Sequence, residues 1–264
     1  MRLPRRLFRL CRLLPHLLHG LWLAATRMPR QPPPRTEAQW QLVRWWHGRL
    51  LELLGIRVRI QGQARPGPVL FVANHVSWVD ISALLTCIDA GFIGKRELRD
   101  WPVLGLLIRR GGTIFIERGG RGAAATAVEE MVLRLDRGDR AAVFPEGTTS
   151  PGDSVRRFHP RLFDAALRTG APVQPVALRY GRTDLAFVDD EPFLRNLWRL
   201  LGERDVWLEV ELLPAVEPDG HDRRRLAETT QRQIAETLAR PAGAPAHGNA
   251  NPAQAPLSGR EPTR

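Results

Sequence analysis

A histidine and an aspartate five residues apart, His75 and Asp80, lie in the segment Asn74-His75-Val76-Ser77-Trp78-Val79-Asp80, directly after an apolar run. That run reads as a strand, and the edge where strands of an α/β sheet give way to helices is where such folds place ligands. With His75 in the turn and Asp80 in the first helical turn, the carboxylate can accept a hydrogen bond from one ring nitrogen. The other nitrogen is then basic and able to take a proton from an alcohol. The same residues also fit a structural pattern. Ser77-x-x-Asp80 matches a capping box with Asp in place of Glu or Gln, and a lone histidine near a turn is often a packing residue. A second segment, Phe144-Pro145-Glu146-Gly147-Thr148-Thr149-Ser150, ends another expected strand. Its proline and glycine force a tight turn whose hydroxyls and N–H groups could receive a polar head group or a developing oxyanion, or could simply be solvated.

The elements that must hold these turns follow from hydropathy. Residues 56–61 alternate apolar and polar, and 68–73 are continuously apolar, as in a strand buried on both faces. A helix is expected near 77–89, a short strand at 92–94, a helical segment near 102–110 and a strand at 113–116. Then come a helix at 122–137, a strand at 140–144, a helix near 160–168, strands at 173–178 and 206–213, and a last helix at 223–238. This alternation predicts an α/β domain over 55–240, a mixed, mainly parallel sheet covered by helices. Residues 241–264 hold five prolines and no large apolar run, and are expected to be a disordered tail.

Charge separates the first quarter from the rest. The 264 residues carry a formal charge of +11. Residues 1–65 contain thirteen arginines against two acids, Glu37 and Glu52, so the remaining chain nets to zero. A protein basic throughout is excluded; a neutral body with a cationic arm is implied. In that arm, Leu3, Leu7, Leu10, Leu14, Leu17, Leu18 and Leu21 recur at spacings of three and four, with Arg2, Arg5, Arg6, Arg9 and Arg12 on the polar side. After Pro32-Pro33-Pro34, a second amphipathic stretch over 36–54 carries Trp40, Trp45 and Trp46. Residues 1–54 are thus expected to form a two-helix membrane-contact segment, against the alternative of a two-helix cap packed on the domain. No stretch of about 18 residues lacks both charges and breakers, so no ordinary transmembrane helix is expected. A cleaved secretory signal fits poorly, because Pro15, His16 and His19 break the apolar core and arginines resume after it.

Two cysteines, Cys11 and Cys87, exclude a disulfide framework and a paired-cysteine zinc site. Of 39 basic residues, 38 are arginine; the single lysine, Lys95, stands out against that bias.

Residues 74–80 resemble the NHxSxxD signature of the glycerolipid acyltransferase family, whose bacterial members include 1-acylglycerol-3-phosphate acyltransferase. Further blocks agree in type and order. Phe144-Pro145-Glu146-Gly147-Thr148 resembles the family's FPEGT block, Gly112-Thr113-Ile114-Phe115-Ile116-Glu117-Arg118 its GxxFIxR block, and Ala171-Pro172-Val173-Gln174-Pro175-Val176 its VxPV block. Lys95-Arg96-Glu97-Leu98, followed by Pro102 and Gly105, resembles its lysine-containing segment. The resemblance spans about residues 70–178 and implies O-acyl transfer in membrane lipid synthesis. His75, held by Asp80, would act as general base on an acceptor hydroxyl, which attacks the thioester of acyl-CoA or acyl carrier protein without an acyl-enzyme. Glu146, Gly147 and Thr148 would shape the acceptor site, and Lys95 and Arg118 would hold anionic head-group atoms. No cofactor or metal is implied.

The implied acceptor is a lysophospholipid of the 1-acyl-sn-glycerol-3-phosphate type. Members accepting it commonly carry arginine after the Gly-Thr of the FPEGT block, where a guanidinium suits a phosphomonoester. This chain has Thr149 there, as do bacterial relatives that acylate lyso-ornithine lipid, which is the alternative acceptor. The implied partners are a membrane surface, a lysolipid and an acyl carrier, and the implied location is the cytoplasmic face of the inner membrane, peripheral or monotopic. A nucleic-acid-binding protein using the arginine arm is a remote alternative, since no recognised nucleic-acid module occurs. A serine hydrolase is disfavoured by the lack of a Gly-x-Ser-x-Gly elbow.

Overall fold

The computed structural model describes residues 2–28, 35–95, 104–110, 113–116, 122–182, 185–188 and 191–241. The expected tail, 241–264, lies outside them apart from Pro241.

The elements run α1 (Arg2–Thr26), α2 (Glu37–Leu54), β1 (Ile56–Gln61), β2 (Leu70–Ala73), α3 (Val79–Leu84), β3 (Gly91–Lys95), α4 (Leu104–Arg110), β4 (Ile114–Ile116), α5 (Ala123–Asp136) and β5 (Ala141–Val143). They continue through a 3₁₀ turn (Pro160–Phe163) to α6 (Asp164–Thr169), β6 (Val173–Tyr180), α7 (Phe193–Gly202), β7 (Val206–Leu212) and α8 (Arg223–Ala239). Among the described residues the strands form one seven-stranded sheet in the order β1-β7-β6-β2-β5-β3-β4. Strands β6, β2, β5, β3 and β4 run parallel, and β7 pairs antiparallel with β6. The expected mixed, mainly parallel α/β architecture is observed.

Strand β2 lies inside the sheet and is buried along its length. Its side chains alternate between two cores, as the two-residue period of a strand requires. Phe71 and Ala73 join the core built with Leu51 and Leu54 of α2, Leu84 of α3 and Leu201 of α7. Leu70 and Val72 join the opposite one, with Met131 of α5, Ala165 of α6 and Ile234 of α8. The five parallel strands end on one edge, which therefore gathers the turns after β2 and β5, the end of β3 and the end of β6.

Two departures concern helices. Only Val79–Leu84 of the stretch expected at 77–89 is α-helical. Helix α7 was not anticipated, although Phe193, Leu194, Leu197, Leu200 and Leu201 recur at helical spacing behind Pro192.

The N-terminal arm is two docked helices. Helix α1 continues through Pro15. Helix α2 opens with a Thr36/Gln39 capping box and closes at Gly55, whose left-handed φ of 81° suits glycine. A Cβ at Gly55 would also lie 1.9 Å from the Arg9 guanidinium, so glycine lets α1 pass over the end of α2. The helices cross where His16 stacks on Trp46 at 4.8 Å and its Nε2 donates to the Trp46 carbonyl at 3.1 Å. Burial lowers the His16 pKa to about 4, keeping the ring neutral. Trp46 thus serves the helix–helix contact, and Trp40 lies beneath the Arg35 guanidinium. Exposed apolar side chains lie instead along α1 itself. Leu3, Leu7, Leu10, Leu14, Leu18 and Trp22 are each 41–60 % exposed.

The arginines of α1 are less open than a solvated polar face requires. Arg5 donates to the Gly202 carbonyl at 2.5 Å, and Arg9 donates to the carbonyls of Leu201 at 3.1 Å and Glu203 at 2.9 Å. These are carbonyls that the end of α7 leaves without helical partners. Arg6 lies over the Trp198 ring at 5.0 Å. Much of the cationic face is therefore spent on docking α1 to the body.

Candidate active site

Asn74 prolongs the pairing of β2 with β6 past the strand end. Its Nδ2 donates to the Leu178 carbonyl at 2.9 Å, and its Oδ1 accepts from the Leu178 N–H at 2.8 Å. The chain then turns, and His75 Nδ1 meets Asp80 Oδ2 at 2.8 Å. The same oxygen accepts the N–H groups of Val76 at 2.7 Å and Ser77 at 2.8 Å. The carboxylate that ties down the turn therefore also holds the imidazole, while of the capping box only the Asp80 half is made, since the N-cap of α3 is Trp78, which makes no side-chain cap hydrogen bond. Since Asp80 is an acceptor, the proton sits on Nδ1 and the lone pair on Nε2. The ring stacks on Phe144 at 3.9 Å and 11° and remains 16 % exposed, while Asp80 is fully buried.

The turn after β5 braces the one after β2. Glu146 Oε1 accepts the His75 backbone N–H at 2.7 Å and Oε2 accepts that of Arg156 at 3.1 Å. Burial raises the Glu146 pKa above its ordinary value, and the two N–H donors oppose that rise. Ser150 donates to the His75 carbonyl from its N–H at 2.7 Å and its hydroxyl at 3.2 Å. Gly147 has a φ of 77°, a left-handed turn conformation suited to glycine. Thr148 is exposed. The Thr149 hydroxyl donates to the Phe187 carbonyl at 2.5 Å, and the Phe187 N–H donates to the Val76 carbonyl at 2.9 Å. Thr149 thus joins the two motif turns to the 185–188 segment.

Of the expected site residues, His75, Asp80, Glu146, Gly147, Thr148 and Thr149 come together at this edge. Lys95 ends β3, paired in register with Ile116 of β4. The side chain of Lys95, and Arg118 altogether, lie outside the described residues. Among the described residues no group of three or more His, Cys, Asp or Glu is disposed to hold a metal ion.

Sequence reasoning missed two residues beside this turn. Tyr180, the last residue of β6, donates its hydroxyl to Asp80 Oδ1 at 2.5 Å. Asn196 of α7 accepts the Trp78 indole N–H at 3.0 Å. Both lie beyond the recognisable blocks, and neither residue type at a strand end or on a helix signals a site by itself.

Comparison with known proteins gives the family. Residues 55–179 match the family model described as Acyltransferase. A lyso-ornithine lipid O-acyltransferase from Pseudomonas aeruginosa is 40% identical over 239 residues, covering 87% of this chain and 92% of that one. A 1-acyl-sn-glycerol-3-phosphate acyltransferase from Neisseria meningitidis is 32% identical over 247 residues, covering 89% and 93%. The crystal structure of the 1-acyl-sn-glycerophosphate (LPA) acyltransferase PlsC from Thermotoga maritima superposes with a TM-score of 0.60 at 24% identity, over 88% of this chain and 98% of that one, and so shares the fold. With relatives this similar along nearly their whole length, the chain belongs to the acyltransferase family.

Proposed function

We propose that this acyltransferase moves a fatty acyl group from a thioester carrier, acyl-CoA or acyl carrier protein, to the hydroxyl of a lysolipid at a membrane surface, and that the acceptor is lyso-ornithine lipid. The bond between His75 Nδ1 and Asp80 Oδ2 carries the chemical part of the reading. With Nδ1 protonated, Nε2 removes the acceptor's hydroxyl proton as its oxygen attacks the thioester carbonyl. A C–O bond forms, the C–S bond breaks from the tetrahedral intermediate, and the imidazolium returns the proton to the departing sulfur. General-base help of this kind is worth about 10²–10⁴ in rate, and the rest comes from positioning two lipidic substrates. Glu146 serves by fixing the His75 backbone, which differs from direct contact with the acceptor.

The acceptor assignment rests on Thr149. Its hydroxyl is committed to the Phe187 carbonyl, where phosphate-accepting relatives commonly place a guanidinium. A 1-acyl-sn-glycerol-3-phosphate acceptor is the second reading, favoured by the Neisseria relative. The exposed leucines of α1, together with exposed Leu194 and Trp198 of α7, support a peripheral seat on a membrane, as no helix among the described residues is long and apolar enough to cross one. Because acyl carriers are cytoplasmic, the cytoplasmic face of the inner membrane is the proposed location.

The deciding experiment incubates purified protein with a radiolabelled acyl donor and either lyso-ornithine lipid or lysophosphatidic acid. Label in ornithine lipid is the expected result. Label confined to phosphatidic acid would transfer the assignment to the second reading, and label in neither would defeat both.

A further inference from the structure

The two oxygens of Asp80 are held by different elements. Oδ2 takes His75 and the N–H groups of its own turn, whereas Oδ1 takes the hydroxyl of Tyr180 from the end of β6, at 2.5 Å. The Ser77 side chain is hydrogen-bonded to Tyr180 as well. Tyr180 is the chain's single tyrosine and falls one residue beyond the segment that matches the family model. The terminal torsion of an aspartate is soft, so nothing intrinsic fixes the plane of a carboxylate. A donor on Oδ1 fixes it, with Oδ2 toward the imidazole. That donor also draws charge from the carboxylate and weakens its hold on an imidazolium. Burial, reinforced by the adjacent Asp80 charge, pushes the Tyr180 phenol up from its ordinary value, so it remains a donor at working pH.

We infer that Tyr180 is a positioning residue for acyl transfer, acting on His75 through Asp80. Its hydroxyl sets the plane of the carboxylate and moderates how strongly that carboxylate stabilises the protonated histidine. The inference rests on the general-base reading of His75. Among the described residues, the polar and titratable side chains facing the pair are Tyr180 from β6, Ser77 from its own turn and Glu146 from the turn after β5, with Phe144 as the apolar wall.

The test follows acyl transfer by the full chain across pH. In Tyr180→Phe, kcat should fall roughly tenfold, a part of the ~10²–10⁴ that the base supplies, with both KM values within about twofold. The acid limb of kcat/KM should move up by about half a pH unit, because a carboxylate relieved of one donor holds the imidazolium more strongly. A purely structural role would leave that limb in place. A second form tests the opposite sign. Growth on 3-fluorotyrosine replaces this single hydroxyl by a more acidic, stronger donor, and the acid limb should then move down.

A folded Tyr180→Phe protein with unchanged kcat and an unmoved limb would overturn the inference, as would movement of the limb in the same direction in both forms. Should the phenylalanine variant fail to fold, the fluorotyrosine protein decides alone: a downward shift supports the role and an unmoved limb removes it. Failure of the underlying reading shows separately, as normal turnover in His75→Ala.

Discussion

The turn that carries His75 and the helix that leads the chain use their polar and apolar groups in opposite ways. Around His75 the polar groups are turned inward and tied. Asp80 accepts four donors, Glu146 two backbone N–H groups, and Ser150 secures the His75 carbonyl from two sides. Along α1 the tied groups are arginines docked on the end of α7, and it is the leucines that face outward. A site fixed from several elements spends its binding energy before substrate arrives, which is what orientation at a reacting centre requires. A helix with an uncovered apolar face keeps its energy for a surface still to be met. Chemistry and surface recognition should therefore be separable by mutation.

The largest separation is expected at the turn. His75→Ala should reduce kcat by about 10³, within the range for a lost general base, while leaving the melting temperature nearly unchanged. Asp80→Asn should differ in kind. The amide oxygen can replace Oδ2 against the His75, Val76 and Ser77 donors, but its NH2 then meets the Tyr180 hydroxyl donor and the carboxylate charge is lost, which costs roughly 1–3 kcal/mol of stability besides most of the activity. Kinetics and thermal melts on the two proteins check this. Equal melting losses in both would show that His75 itself holds the turn together.

Replacing Leu7, Leu14 and Leu18 by serine should do the reverse. At about 1 kcal/mol of lost burial per half-exposed leucine, partition onto anionic vesicles should weaken by ~10². Turnover of acceptor dispersed in detergent should be unchanged. Because Arg5 and Arg9 are docked on α7, raising the salt concentration should reduce vesicle binding less than this substitution does. A salt effect that exceeds the leucine effect would return the membrane role to charge.

The division explains what the sequence made legible. His75, Asp80 and the Phe144–Ser150 turn were readable because strand-end turns with these residue types are compact and local; the pairing of His75 with Asp80 spans five residues. Tyr180 lies 100 residues from Asp80 and was invisible, since a tyrosine closing a strand carries no local mark. The sheet was readable from its alternation. Helix α7 was missed where its apolar spacing followed an irregular stretch, although that spacing was present in the chain. The leucine stripe of α1 was readable as amphipathic. Its arginine face was not, because the carbonyls that Arg5 and Arg9 seek belong to α7, some 190 residues away.

The smallest predicted effect lies at the joint between the two helices of the arm. His16 is buried against Trp46 with its pKa lowered to about 4 from 6.5, burial being the main cause. As pH falls below 6.5 the unfolded chain binds a proton that the folded chain refuses, so stability declines towards pH 4 and is level above pH 6.5. Between pH 7 and pH 5.5 the His16 share of the loss should be about 1 kcal/mol, from the stated pKa difference at 1.36 kcal/mol per unit. Denaturant unfolding at the two pH values measures it: His16→Phe, which keeps a ring for Trp46, should remove the His16 share of the slope and leave the share of His47, whose pKa burial lowers to about 3. An unchanged slope in that variant would mean that the α1–α2 joint does not sense pH through His16. If the slope does fall while kcat at saturating detergent-dispersed acceptor keeps its pH profile, the arm and the site titrate independently, as their different use of polar groups requires.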